Sequence, residues 1–186
     1  MLHLTGKYEK ASEAFSFNLA AWRTLLKAES VEPSTAEDYQ LRYAHTMINL
    51  SMSAQHSKER GIQTAKNLCL VALRSFEQIQ GAEAHAALEA RVRVCELSFL
   101  LGHKGEILES IEVMAQVDAA LANMFGTSRS ELALWGDRLV ADAAHVNAKL
   151  AAFKGDLAAA KTHMALALSI ASNSSGPASI KVTAKL

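Results

Sequence analysis

Only two cysteines, Cys69 and Cys95, and two prolines, Pro33 and Pro177, occur in 186 residues. Two thiols cannot build a disulfide scaffold, and their scarcity points to a reducing compartment, cytoplasmic or nuclear. Neither sign of charge is in excess: 19 Lys and Arg balance 19 Asp and Glu. The chain therefore lacks the basic field that a general nucleic-acid binder uses to neutralise phosphates. No run of about 18 apolar residues occurs, so no membrane span is expected. The opening Met1-Leu2-His3-Leu4-Thr5-Gly6 lacks the charged and apolar regions of a secretory leader. On that basis the sequons Asn49-Leu50-Ser51 and Asn173-Ser174-Ser175 read as chance. Strand signals are nearly absent, because β-branched residues are scattered and alternation is confined to the last residues. Disorder is excluded by a 50 % hydrophobic content and a mean hydropathy of +0.07.

What the chain does have is helix-forming sequence cut into lengths. Nine glycines, at 6, 61, 81, 102, 105, 126, 136, 155 and 176, separate stretches rich in Ala, Leu, Glu, Lys and Arg. Seven helices are predicted, over 7–29, 36–58, 62–80, 83–102, 106–125, 129–153 and 157–172. Ser34 with Glu37, and Ser128 with Glu131, have the spacing of capping boxes. Gly126 reads as a left-handed stop, and Asp156 as the N-cap of the last helix. Apolar residues recur at spacings of three and four. The first helix places Tyr8, Ala11, Phe15, Leu19, Trp22 and Leu26 on one stripe. The third places Ile62, Ala65, Cys69, Leu73, Phe76 and Ile79. The fifth stripe is Ile107, Ile111, Met114, Val117, Leu121 and Met124, and the sixth is Leu132, Trp135, Leu139, Val146, Leu150 and Phe153. Gly136 inside the sixth helix is explained by close approach of a neighbour.

The segments are similar to one another. Gly6-Lys7-Tyr8, then Ala11, Phe15 and Leu19, corresponds to Gly155-Asp156-Leu157, then Ala160, Met164 and Leu168. Gly61-Ile62 with Ala65 and Cys69, and Gly105-Glu106-Ile107 with Ser110 and Met114, fit the same frame. Glycine turns the chain, an apolar residue anchors the new helix, a small residue permits close contact, and a larger one fills the groove beyond. This frame resembles the second half of a tetratricopeptide repeat, along nearly the whole chain. The first-helix half of that motif is weaker; only Leu97 and Leu101 match. The successive spacings, Ala11 to Ala65, Ala65 to Ser110 and Ser110 to Ala160, are 54, 45 and 50 residues and exceed the family's 34. They look like its divergent, long-helix branch. The resemblance implies an all-α fold, an α-α superhelix or tetratricopeptide-like solenoid of about seven antiparallel helices. It would occupy residues 1–176, with a C-terminal tail over 177–186. A generic helical bundle is the alternative. Residues 1–4 read like the end of a further helix, so a longer solenoid or a partner-covered first face is expected.

Chemistry-bearing patterns are sparse. There is no P-loop, dinucleotide-binding glycine triplet, His-Glu-x-x-His or nucleophile elbow, so no enzyme activity and no cofactor are expected. Asp142-x-x-His145 is the nearest approach to a metal pair, and the seven histidines lack ligand spacing. Cys69 and Cys95 lie 12 and 14 residues from Gly81, so antiparallel helices would bring them level. A disulfide then requires Cα atoms within about 7 Å; two buried free thiols are the simpler expectation. Lys58-Glu59-Arg60 and Arg91-x-Arg93 read as solvated charges balanced by neighbouring acids. Ile180, Val182, Ala184 and Leu186 alternate with polar residues, as in an added strand or a frayed tail.

The function these features imply is a non-catalytic interaction module or scaffold subunit, holding a partner protein or peptide. By resemblance, the groove draws on the second, fourth and sixth helices. Its candidate contacts are Asn49, Ser53 and Lys58, then Arg91 and His103, then Asp142, His145 and Lys149. A ligand-sensing regulatory domain, as in bacterial transcription activators built on long helical repeats, is the alternative. It would carry an enclosed polar pocket.

Overall fold

The computed structural model describes residues 7–27, 32–56, 61–125 and 138–173. These residues form seven helices and no strand: α1 (Tyr8–Leu26), α2 (Pro33–Ala54), α3 (Gly61–Gln80), α4 (His85–Leu101), α5 (Lys104–Phe125), α6 (Arg138–Phe153) and α7 (Leu157–Asn173). The chain is all-α. Successive helices pack on one another, as in an α-α superhelix: α1 on α2, α2 on α3, α3 on α4, and α6 on α7.

Helix ends follow from local chemistry. Gly102 takes φ 77°, closing α4 with bonds from its N–H to the carbonyls of Phe99 and Ser98; a side chain is strained in that conformation. The chain re-enters a helix at Lys104, so Gly105, expected to turn the chain, lies instead in the first turn of α5. Gly155 likewise takes φ 83° between α6 and α7. Asp156 then caps α7 as expected, its Oδ1 accepting the Ala159 N–H at 2.9 Å. The capping box at Ser34 does not form. Helix α2 starts one turn earlier, at Pro33, with Glu32 in the capping position and no side-chain cap bond. Proline's fixed φ is pre-organised for a first helical position, and that sets the start. The predicted features at Gly6, Gly126, Ser128, Glu131, Leu132, Trp135, Gly136, 129–137 and 177–186 lie outside the described residues.

Two compact units are present, Met1–Glu106 and Ile107–Leu186. In the first, Leu19, Met47, Leu50, Cys69, Phe76 and Leu97 form one core with Ala44, Ala65, Ala72, Ala87 and Ala90. The alanines sit where helices touch, letting backbones approach so that large neighbours interlock. Both cysteines are buried and free. Cys69 donates through Sγ to Ser51 Oγ at 3.1 Å, and Ser51 in turn donates to the Ile48 carbonyl; burial pushes the Cys69 thiol pKa up. Lys66, though only 10 % exposed in its side chain, reaches Glu106 at 3.0 Å. In the second unit Ile107, Ser110, Met114 and Val117 of α5 are buried, with Leu139, Val146 and Leu150 of α6. Asn147 of α6 donates through its amide to both carboxylate oxygens of Asp118 on α5, at 2.8 and 3.0 Å. Phe153, assigned to a buried stripe from the sequence, is exposed at the end of α6. The helix stops there.

Candidate functional site

A concave surface forms where α1 crosses α2. On α1, Phe15, Asn18, Trp22 and Leu25 follow at spacings of three and four, which puts them on one face of the helix. Ala21 lies beside them, and α2 contributes Thr46 and Asn49. Together they line an open cleft of about 350 Å³. Trp22 is supported from the side by Tyr39 of α2, ring centroids 5.8 Å apart. Arg23 donates to the Tyr43 hydroxyl at 2.9 Å, clamping the same two helices. Thr46 turns its hydroxyl back onto the Arg42 carbonyl, presenting its methyl side outward from that bond. The side-chain amides of Asn18 and Asn49 have no hydrogen-bond partner among the described residues. A mainly apolar lining that includes two amides suits an amphipathic segment: the rings can take apolar side chains, and the amides backbone groups.

Of the residues expected to form a groove, Asn49, Ser53, Arg91 and His103 belong to the first unit, and Asp142, His145 and Lys149 to the second. Asn49 lines the α1–α2 cleft. Ser53, one turn further along α2, has 0 % exposure, with its hydroxyl 3.5 Å from the Asn49 carbonyl; it packs inside the core and offers nothing to a partner. Lys58 lies outside the described residues. Arg91 of α4 pairs with Glu77 of α3 through Nη2 at 2.6 Å and Nε at 3.1 Å. His103, in the turn after α4, is exposed and places Nδ1 3.5 Å from Glu106. Asp142, His145 and Lys149 share one face of α6 in the second unit. Asp142 is 3.5 Å from Arg138, and all three side chains are half-buried.

The Arg91-x-Arg93 pair is balanced by acids as expected, but neither side chain is a solvated charge. Arg93 is 15 % exposed, with Nη1 bonded to Glu96 one turn along α4. Arg91 reaches across to Glu77 of α3, while Arg93, two residues on and so turned by about 200° around α4, bonds within its own helix.

Phe15, Asn18, Trp22, Leu25 and Thr46 were not expected as site residues. Phe15 and Trp22 belong to the α1 stripe and read as core. The available signal was Leu25, an apolar residue off that stripe, next to the polar break at Asn18. No family model, no curated protein and no solved structure matches this chain. Among the described residues no group of three or more His, Cys, Asp or Glu is arranged to hold a metal ion, and no helix is long and apolar enough to cross a membrane.

Proposed function

We propose that this chain is a non-catalytic interaction module of tetratricopeptide-like design, which seats a segment of a partner protein in the α1–α2 cleft. The observation that carries the reading is the lining of that cleft: Phe15, Trp22 and Leu25 beside two unpaired amides, Asn18 and Asn49. Buried aromatic anchors supply most of the affinity in such contacts, while amides fix the register of a bound backbone. Phe17 on the same helix is 76 % exposed. The repeated frame of glycine, anchor and small residue supports the family reading. Helix pairs built that way leave one helix of each pair free to line a groove. The regulatory-domain alternative asks for an enclosed polar pocket, whereas this cleft is open and mainly apolar.

Affinity capture from the source cell with the intact chain, compared with Trp22→Ala, tests the proposal. Recovery of one protein in stoichiometric amount, reduced at least tenfold by the substitution at unchanged helical content, is the expected result. Equal recovery with both chains would overturn the cleft as the docking site.

A further inference from the structure

Among the described residues of the first unit, Arg93 is the charged group with the most unmet buried N–H groups. Its Nη1 is committed to Glu96, yet Nε and Nη2 are both buried and meet no acceptor. Buried N–H groups without partners are rare because each has given up water for nothing. Two on one guanidinium concentrate that deficit in one place. Nε–H and Nη2–H leave the guanidinium on the same edge, parallel and spaced as the two oxygens of a carboxylate are. The edge lies near the end of α2, since His56 feels the charges of both Arg93 and Glu96. His56 is stacked under Tyr8, ring centroids 4.4 Å apart, and lies 2.7 Å from Gln55 Nε2. The Oε1 of Gln55 is itself buried without a partner. Gln55, beside His56, is thus a second unmet side chain at the end of α2, outside the α1–α2 cleft and using none of its residues.

We propose that the Nε–Nη2 edge of Arg93 is a binding site for a carboxylate, taken side-on as two parallel N–H···O bonds. The surrounding charges select that class. Among the described residues, Arg93 is the cationic side chain whose charge reaches His56, and Glu96 offsets part of it. Burial and the nearby guanidinium hold the His56 pKa down, so the imidazole adds no positive charge near neutral pH. Cys69 stays a thiol for the same reason of burial. One guanidinium, partly neutralised, balances a monoanion; a phosphate dianion would leave negative charge buried beside Glu96. Gln55 offers its unmet carbonyl to an O–H or N–H next to the carboxylate.

Titration of the full chain with sodium acetate at constant ionic strength, set by sodium chloride, tests this directly. The readout is the ¹H–¹⁵N signal of Arg93 Nε, with inorganic phosphate titrated in parallel. The expected result is a saturable shift with acetate, at least tenfold weaker with phosphate. Arg93→Gln should remove the acetate effect on the thermal midpoint. Arg93→Lys, which keeps the charge but not the fork, should weaken acetate binding at least tenfold and serves if Arg93→Gln fails to fold. Absence of a saturable shift in the unmodified chain would overturn the site. Phosphate binding as well as acetate, or full acetate binding by Arg93→Lys, would overturn its assignment to a carboxylate.

Discussion

Helix α3 begins on Gly61 and α7 follows Gly155 by two residues, and they share a frame: an apolar residue, a small one three positions later, and a larger one after four more. In α3 these are Ile62, Ala65 and Cys69; in α7 they are Leu157, Ala160 and Met164. Ala65 and Cys69 are wholly buried, while Ala160 and Met164 are half-buried and Leu157 is 64 % exposed. Helix α3 is held between α2 and α4, whereas α7 is the last described helix and packs on α6. The same residue pattern therefore encodes the ability to pack, and the number of neighbours decides how much of it is buried. Helix α1 shows the same effect in the first unit, where three of its residues, Ala11, Ser12 and Leu19, are buried. Phe15, Trp22 and Leu25 of the proposed site are among the apolar side chains that it leaves partly uncovered.

Substitutions should separate the two helices by the size of their effects. Phe76→Ala removes a large, fully buried ring from α3, and an expected loss of about 3–5 kcal/mol should appear as a lower urea midpoint. Ala65→Leu should cost about 1–3 kcal/mol through overpacking. The equivalent Ala160→Leu should stay within about 0.5 kcal/mol, as surface changes usually do. Equal costs at 65 and 160 would break the comparison. Asp156→Ala removes the cap of α7 and should lose about 1 kcal/mol, read as faster amide exchange in its first turn.

A smaller effect concerns acid. The hydrogen bond from Lys66 holds the Glu106 carboxyl pKa below its ordinary value of 4.5. A depressed carboxylate pKa means that the pair's contribution is complete above that value and fades as pH falls through the folded-state value. Stability of the intact chain should therefore decline below about pH 4.5 more steeply than that of Glu106→Gln. Parallel pH profiles of the thermal midpoint would remove Glu106 from this role.

Most of the fold was legible because it rests on periodicity. The stripes of α3 and α5 name Ala65, Cys69 and Phe76, and Ile107, Met114, Val117 and Leu121, as buried, while Leu73 and Ile111 on the same stripes are half-buried. The α2 start was missed because Pro33 at a first helical position outweighed the Ser34–Glu37 spacing. The site was less legible for a physical reason. Lining a cleft and filling a core call for the same residues, and Phe15 and Trp22 satisfy both descriptions. Only the packing of neighbours tells them apart, and periodicity does not record it. Polar residues were equally ambiguous: Ser53 and Asn49 sit four apart on α2, yet one is inside the core and the other lines the cleft.

Leu25 and Leu157 are both exposed leucines, but only Leu25 borders the cleft. A photo-cross-linking residue placed at each position in turn, in the source cell, tests the account most directly. A single discrete adduct from position 25, with none from position 157, is the predicted result. The same adduct from position 157, or none from position 25, would contradict it.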